Sequence, residues 1–165
     1  LYWFTKNNVP VAQAAKAEAD IIQLVIEKVK TKAKPLPGLQ HILNFFIERK
    51  YKIGLASSSP VELIDVVIDK LGIRNCLHAI CSAAHLPYGK PHPQVYLDCA
   101  SVLGSLPQQC ICFEDSFNGL IAAKAAGMKC VVIPAHHDNS KAKFGAADLK
   151  ISSLQNFNDL LLQTL

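Results

Sequence analysis

The spacing of apolar residues changes character once along the chain. Up to about residue 34 the pattern is helical throughout. Leu1-Tyr2-Trp3-Phe4 is an abrupt apolar start, and Pro10 opens a longer helix on which Ala14, Ala17, Ile21, Leu24, Val25 and Val29 recur at helical spacing. Lys34-Pro35-Leu36-Pro37-Gly38 breaks that helix. A domain boundary is expected there, with a helical segment over residues 1–34 and a second unit over residues 35–165.

Past the break, strands and helices alternate. Ile42, Leu43, Phe46 and Ile47 predict a helix, and Tyr51–Ala56 a strand ending at Ser57-Ser58-Ser59-Pro60. Val61–Leu71 reads as a helix closed by Gly72, and Leu77–Cys81 as a short strand. Lys90-Pro91-His92-Pro93 opens a helix through Val95, Tyr96, Cys99 and Leu103. An apolar strand then runs from Cys110 into Glu114-Asp115, followed by a small-residue helix that stops at Gly127. Cys130–Pro134 is a strand, a further short strand lies near Ile151, and Leu154–Leu165 closes the chain as a helix. This alternation predicts an α/β fold with a mostly parallel sheet and right-handed crossovers.

Bulk properties narrow the classes. The chain has 165 residues, half of them hydrophobic and few charged, which describes a folded protein with an ample core. No apolar run reaches the ~18–20 residues that a membrane span needs, so no membrane partner is expected. The net charge of +4 is mild and concentrated in Lys28, Lys30, Lys32 and Lys34, without the basic stripe of a nucleic-acid-binding module. The six cysteines lack paired CxxC spacing, and Cys110, Cys112 and Cys130 sit inside apolar runs, which points to free thiols in a cytoplasmic setting.

Three strand ends carry candidate chemistry. Ser57, Ser58 and Ser59 before Pro60 could cradle an anion with hydroxyls and backbone N–H groups, or could simply cap the next helix. Lys90, held between Gly89 and Pro91, could place a point charge on a phosphate, or could be a surface lysine. Glu114 and Asp115 suit a hard cation such as Mg²⁺, or could cap the helix that follows. In open α/β sheets ligands bind beyond the carboxyl ends of strands. A hydroxyl, a lysine and an acid pair along one such edge are the groups that phosphoryl transfer needs around the phosphorus. His136-His137-Asp138 reads as an exposed turn rather than a metal site, His92 as structural in its turn, and Cys112 as core packing rather than a nucleophile.

These residues resemble the motifs of the haloacid dehalogenase superfamily, in its phosphosugar phosphatase and beta-phosphoglucomutase branch, over about residues 35–165. Gly54-Leu55-Ala56-Ser57-Ser58-Ser59 is similar to the second motif, Lys90-Pro91-His92-Pro93 to the third, and Glu114-Asp115-Ser116-Phe117-Asn118-Gly119 to the fourth, magnesium-binding one. Leu86–Ala100 is similar to the 2-deoxyglucose-6-phosphate (hexitol) phosphatases. The resemblance implies a Rossmann-like core with a helical cap, of which residues 1–34 would be the C-terminal part. It implies Ser57 and Ser58 as phosphate-binding residues, Lys90 as catalytic and phosphate-binding, and Glu114 and Asp115 as ligands to Mg²⁺. The implied activity is Mg²⁺-dependent hydrolysis of a small phosphosugar by a monomeric enzyme.

One family feature has no counterpart. Members carry Asp-x-Asp on a first strand, and this chain contains no Asp-x-Asp. That strand is also the central one, expected between the strands ending at Ser57 and Glu114. Its absence predicts a gap in the sheet and a chain that is a piece of a longer catalytic protein, inactive alone. The alternatives are a beta-phosphoglucomutase-type mutase on the same core, or a catalytically dead interaction domain. A receiver-type signalling domain would place its acids first in the chain, a dehalogenase would not need the acid pair, and a dinucleotide-binding domain would show GxGxxG, which is missing.

Overall fold

The computed structural model describes residues 5–7, 10–135 and 142–165, so Leu1–Phe4 and the His136-His137-Asp138 turn lie outside the described residues. A 3₁₀ turn at Val11–Gln13 leads into helix α1 (Ala14–Lys32), whose last turn carries Lys30 and Lys32 where cations complement the helix dipole. Helix α1 lies against helix α3 (Val61–Leu71), burying Ile26, and Lys70 Nζ donates to the Lys30 carbonyl at 2.6 Å. Helix α2 (Leu39–Glu48) begins at Gly38, where φ is +87° and a Cβ would lie 2.1 Å from the Gln155 nitrogen. Only glycine fits that approach.

Strand β1 (Gly54–Ser57) starts three residues later than the apolar pattern predicts. The Tyr51 N–H bonds to the Phe46 carbonyl at the end of α2, and the Ile53 N–H to His78 Nδ1. The backbone before Gly54 is therefore already committed outside a ladder. Helix α3 ends at Gly72 as expected, with φ +65°. Strand β2 (Ala79–Ser82), helix α4 (Gln94–Leu103), strand β3 (Ile111–Glu114), helix α5 (Phe117–Ala125), strand β4 (Lys129–Val132) and strand β5 (Leu149–Lys150) follow in the predicted order.

The predicted C-terminal helix is divided. A 3₁₀ turn covers Leu154–Asn156, and helix α6 runs only over Asp159–Gln163, capped by Asn158. Phe157 causes the division. Its ring is fully buried, 5.1 Å from Phe113 and 5.3 Å from Phe45 between centroids, and His41 Nε2 lies 2.8 Å from its carbonyl. A continuous helix would turn that ring out of the core.

All strand pairing among the described residues is parallel, but it falls into two groups. Strand β1 pairs with β2, and β3 pairs with β4, which pairs with β5. Among the described residues nothing pairs with the other sides of β1 and β3. Both strands instead line one cavity of about 610 Å³, β1 through Gly54, Leu55 and Ala56 and β3 through Ile111, Cys112 and Phe113. This cavity occupies the position where the sequence predicts a gap. The sheet is covered on one side by Tyr96 and Ala100 of α4 and Leu120 and Ala123 of α5, and on the other by Ile42 and Phe45 of α2 with Phe157. All six cysteines are free. The Cys130 side chain and then burial push the Cys112 thiol well up, and burial pushes Cys99 up to about 12, so both stay protonated core residues. No described helix is long and apolar enough to cross a membrane.

Candidate active site

The carboxyl end of β1 turns through the three serines. The Ser59 N–H bonds to Ser57 Oγ at 3.1 Å, while the cap position of α3 is Pro60, with no side-chain cap. The serines therefore do not cap the helix. Ser57 is half-buried and Ser58 exposed at the helix start. The end of β2 is tied over this turn: Ser82 Oγ donates to the Ser59 carbonyl at 2.6 Å and the Ala83 N–H to the Ser57 carbonyl at 2.8 Å.

From β2 the chain reaches Lys90 through a Pro-rich turn with a cis Lys90–Pro91 bond, closed by the His92 N–H on the Gly89 carbonyl at 3.0 Å. The Lys90 ammonium then points back into the fold. It donates to the Ala56 carbonyl at 3.1 Å, the Tyr96 hydroxyl at 2.9 Å and Glu114 Oε1 at 2.6 Å. Ala56 is the next-to-last residue of β1 and Glu114 ends β3, so this one side chain bridges the mouth of the cavity between the two strands. A lysine has three N–H donors, and each has a protein acceptor here.

Glu114 is the most constrained group. Its carboxylate is only 9% exposed. Oε1 accepts from Lys90 and from the Tyr96 hydroxyl, and Oε2 from Ser116 Oγ at 3.1 Å. Burial, then the neighbouring Cys112 and Glu114, push the Tyr96 phenol far up, so it remains a donor. Ser116 Oγ also accepts the Gly119 N–H at 3.0 Å and is the N-cap of α5. Capping thus falls to Ser116, not to the acid pair. Asp115 differs from its neighbour: it is exposed and makes no ion pair among the described residues.

Gly119 completes the enclosure. A Cβ there would fall within 1.8–2.5 Å of the Glu114 carboxyl atoms. Glycine to alanine inside a helix ordinarily stabilises by up to about 1 kcal/mol. At this position the sign reverses, because the carboxylate is held by three donors and cannot swing aside freely. Gly119→Ala is expected to destabilise by about 1–3 kcal/mol, read as a lowered midpoint in urea unfolding. An unchanged or raised midpoint would mean that Glu114 is loosely held.

The fold therefore gathers the three predicted strand ends. Lys90 joins Glu114 directly and Ser57 through the adjacent Ala56 carbonyl, while Ser58 lies against the Lys90 turn, 3.7 Å from where a Cβ on Gly89 would be. Among the described residues no group of three or more His, Cys, Asp or Glu side chains is placed to hold a metal. Glu114 and Asp115 alone would offer two carboxylates. That suits Mg²⁺, which keeps waters and takes substrate oxygens. Sequence reasoning missed Tyr96 and Ser116. Tyr96 reads as an apolar helix position, and nothing in its spacing signals that its hydroxyl reaches the next strand.

The family model of haloacid dehalogenase-like hydrolases matches residues 2–127. Hexitol phosphatase B of Escherichia coli is 42% identical over 134 residues, covering 81% of this chain and 60% of that protein. The fructose-1-phosphate phosphatase of Escherichia coli is 31% identical over 139 residues, 76% of this chain and 73% of that one. Among solved structures, a beta-phosphoglucomutase from Clostridium difficile superposes with a TM-score of 0.75 at 29% identity, covering 93% of this chain and 65% of that chain. The chain thus spans about 60% of the length of hexitol phosphatase B.

Proposed function

This chain belongs to the haloacid dehalogenase-like hydrolase family, and on that premise we propose that the protein containing it is a Mg²⁺-dependent phosphosugar phosphatase acting on substrates like 2-deoxyglucose 6-phosphate. The observation that carries the reading is the Lys90 ammonium, fixed across the cavity mouth between Ala56 and Glu114 with the serine turn beside it. Residues 35–165 are the core in this reading, and residues 1–34 are the C-terminal part of a helical cap.

Each group then has a role. Ser57 and Ser58, at the start of α3, bind the phosphate oxygens. Lys90 holds Glu114 and supplies positive charge at the phosphate site, while Glu114 and Asp115 would hold the magnesium ion. That ion, when bound, offsets negative charge on the transferring phosphoryl group. The nucleophile is an aspartate on a strand that precedes these 165 residues in the full protein and fills the cavity between β1 and β3. Its carboxylate attacks phosphorus as the bond from phosphorus to the sugar oxygen breaks, and a second aspartate of that strand gives the leaving oxygen its proton. The same group then takes a proton from the water that cleaves the aspartyl-phosphate to inorganic phosphate. The edges of β1 and β3 left without a strand partner among the described residues, and the cavity that both strands line, support such a strand.

Similarity to the Clostridium difficile beta-phosphoglucomutase favours a second reading, a phosphosugar mutase on the same core. The full protein distinguishes the two. Release of inorganic phosphate from 2-deoxyglucose 6-phosphate, dependent on Mg²⁺ and abolished by a chelator, is the expected result. Isomerisation of a hexose phosphate without phosphate release would establish the mutase instead.

A further inference from the structure

The segment between β2 and Lys90 is tied down at both ends around the serine turn. At its start, Ser82 and Ala83 bond to the Ser59 and Ser57 carbonyls. At its end, Gly89 lies beside Ser58, whose Oγ is 3.7 Å from where a Cβ on Gly89 would be, and Lys90 reaches Ala56. Tyr88 sits between these anchors, next to Gly89 in the chain, and it is 67% exposed. Large aromatic side chains are usually well buried, because so much apolar area is at stake.

The exposed ring is nonetheless held. Its centroid lies 5.5 Å from that of His92, with 31° between the planes. His92 is itself fixed, its N–H on the Gly89 carbonyl and its Nδ1 near the Gln94 N–H at 3.3 Å. Pro87, Pro91 and Pro93 stiffen the same turn. A rigid aromatic with a free face costs little entropy to use in binding.

We propose that Tyr88, backed by His92, is a specificity-determining residue: its ring receives the C–H face of the sugar whose phosphate is seated on Ser57 and Ser58. The inference rests on the phosphosugar reading above and deepens it. A sugar presents apolar C–H faces between its hydroxyls, so it gains from a flat aromatic wall beside the phosphate pocket. A three-carbon phosphomonoester is too short to cover the ring and gains little. Selectivity for a sugar thus arises in part from this turn of the core.

The test is equilibrium binding to the full protein, with 2-deoxyglucose 6-phosphate and glycerol 3-phosphate titrated calorimetrically in the absence of Mg²⁺. Tyr88→Ala is expected to weaken sugar-phosphate binding about tenfold and to leave glycerol phosphate within about twofold. Tyr88→Phe should retain sugar binding within about threefold, since it keeps the ring. Equal losses on both ligands would assign Tyr88 to seating another part of the protein, and unchanged sugar binding would remove it from the site. Both results overturn the proposal. If the wild type binds the sugar phosphate but does not hydrolyse it once Mg²⁺ is added, the phosphatase reading fails, while the Tyr88 assignment still stands or falls on the binding ratio. If it binds neither ligand, both are wrong.

Discussion

Replacing Lys90 by Met is expected to lower the free energy of unfolding by about 3–5 kcal/mol, the usual cost of stripping one partner from a buried ion pair. The Lys90 and Glu114 side chains are 13% and 9% exposed, so neither charge is well solvated. Methionine keeps the length of the stem, which limits the change in packing. What it removes is the 2.6 Å donor to Glu114 Oε1, the 2.9 Å donor to the Tyr96 hydroxyl and the 3.1 Å donor to the Ala56 carbonyl. Tyr96 and Ser116 remain as donors, but both are neutral, and they leave an uncompensated carboxylate in the interior. A urea unfolding series gives the number, with the midpoint falling and the slope unchanged. Adding Glu114→Gln to Lys90→Met should recover most of the loss, because the amide oxygen can still accept from Tyr96, the amide N–H can donate to Ser116 Oγ, and no charge is left to balance. A single-mutant cost under about 1 kcal/mol would place the pair with surface ion pairs, which contribute little. It would also remove the premise that Lys90 is clamped across the cavity.

Much of this arrangement was legible in the sequence, for identifiable reasons. Helix α3 announces itself through a helical apolar stripe and a glycine stop, and it is found at the predicted Val61–Leu71. The order Ser57, Lys90, Glu114-Asp115 along successive strand ends was equally visible, because crossover topology sends those ends to one edge. The gap between β1 and β3 was foreseen from the resemblance and not from periodicity. Three kinds of detail were hidden. The start of β1 depends on where the Tyr51 and Ile53 N–H groups find partners, which local pattern does not encode. The break at Phe157 depends on rings from two other elements, Phe45 of α2 and Phe113 of β3. The division of labour at the acidic turn, with Ser116 capping and Glu114 wired to Lys90 and Tyr96, depends on contacts between side chains up to 24 positions apart.

That division separates the two carboxylates into distinct tests, and Asp115→Asn carries the larger functional effect. On the magnesium reading, the substitution keeps size and removes half of the acidic pair, so Mg²⁺-dependent phosphate release by the full protein should fall about a hundredfold or more. Stability should hardly change. Asp115 is exposed and makes no ion pair among the described residues, and what it gives α5 is the few tenths of a kcal/mol of a charge near a helix N-terminus. Glu114→Gln should show a different signature, losing stability as well as activity, because a buried ammonium is left facing a neutral amide. Steady-state assays across a Mg²⁺ titration, beside urea midpoints for both variants, separate the roles. If Asp115→Asn turns over at the wild-type rate, the metal assignment fails for that residue whatever Glu114 does. If it loses activity and unfolds early as well, Asp115 supports the fold through contacts that the exposed position of its side chain does not reveal, and the loss of turnover says nothing about a metal. Loss of turnover at an unmoved midpoint is the one result that ties the exposed carboxylate to the chemistry.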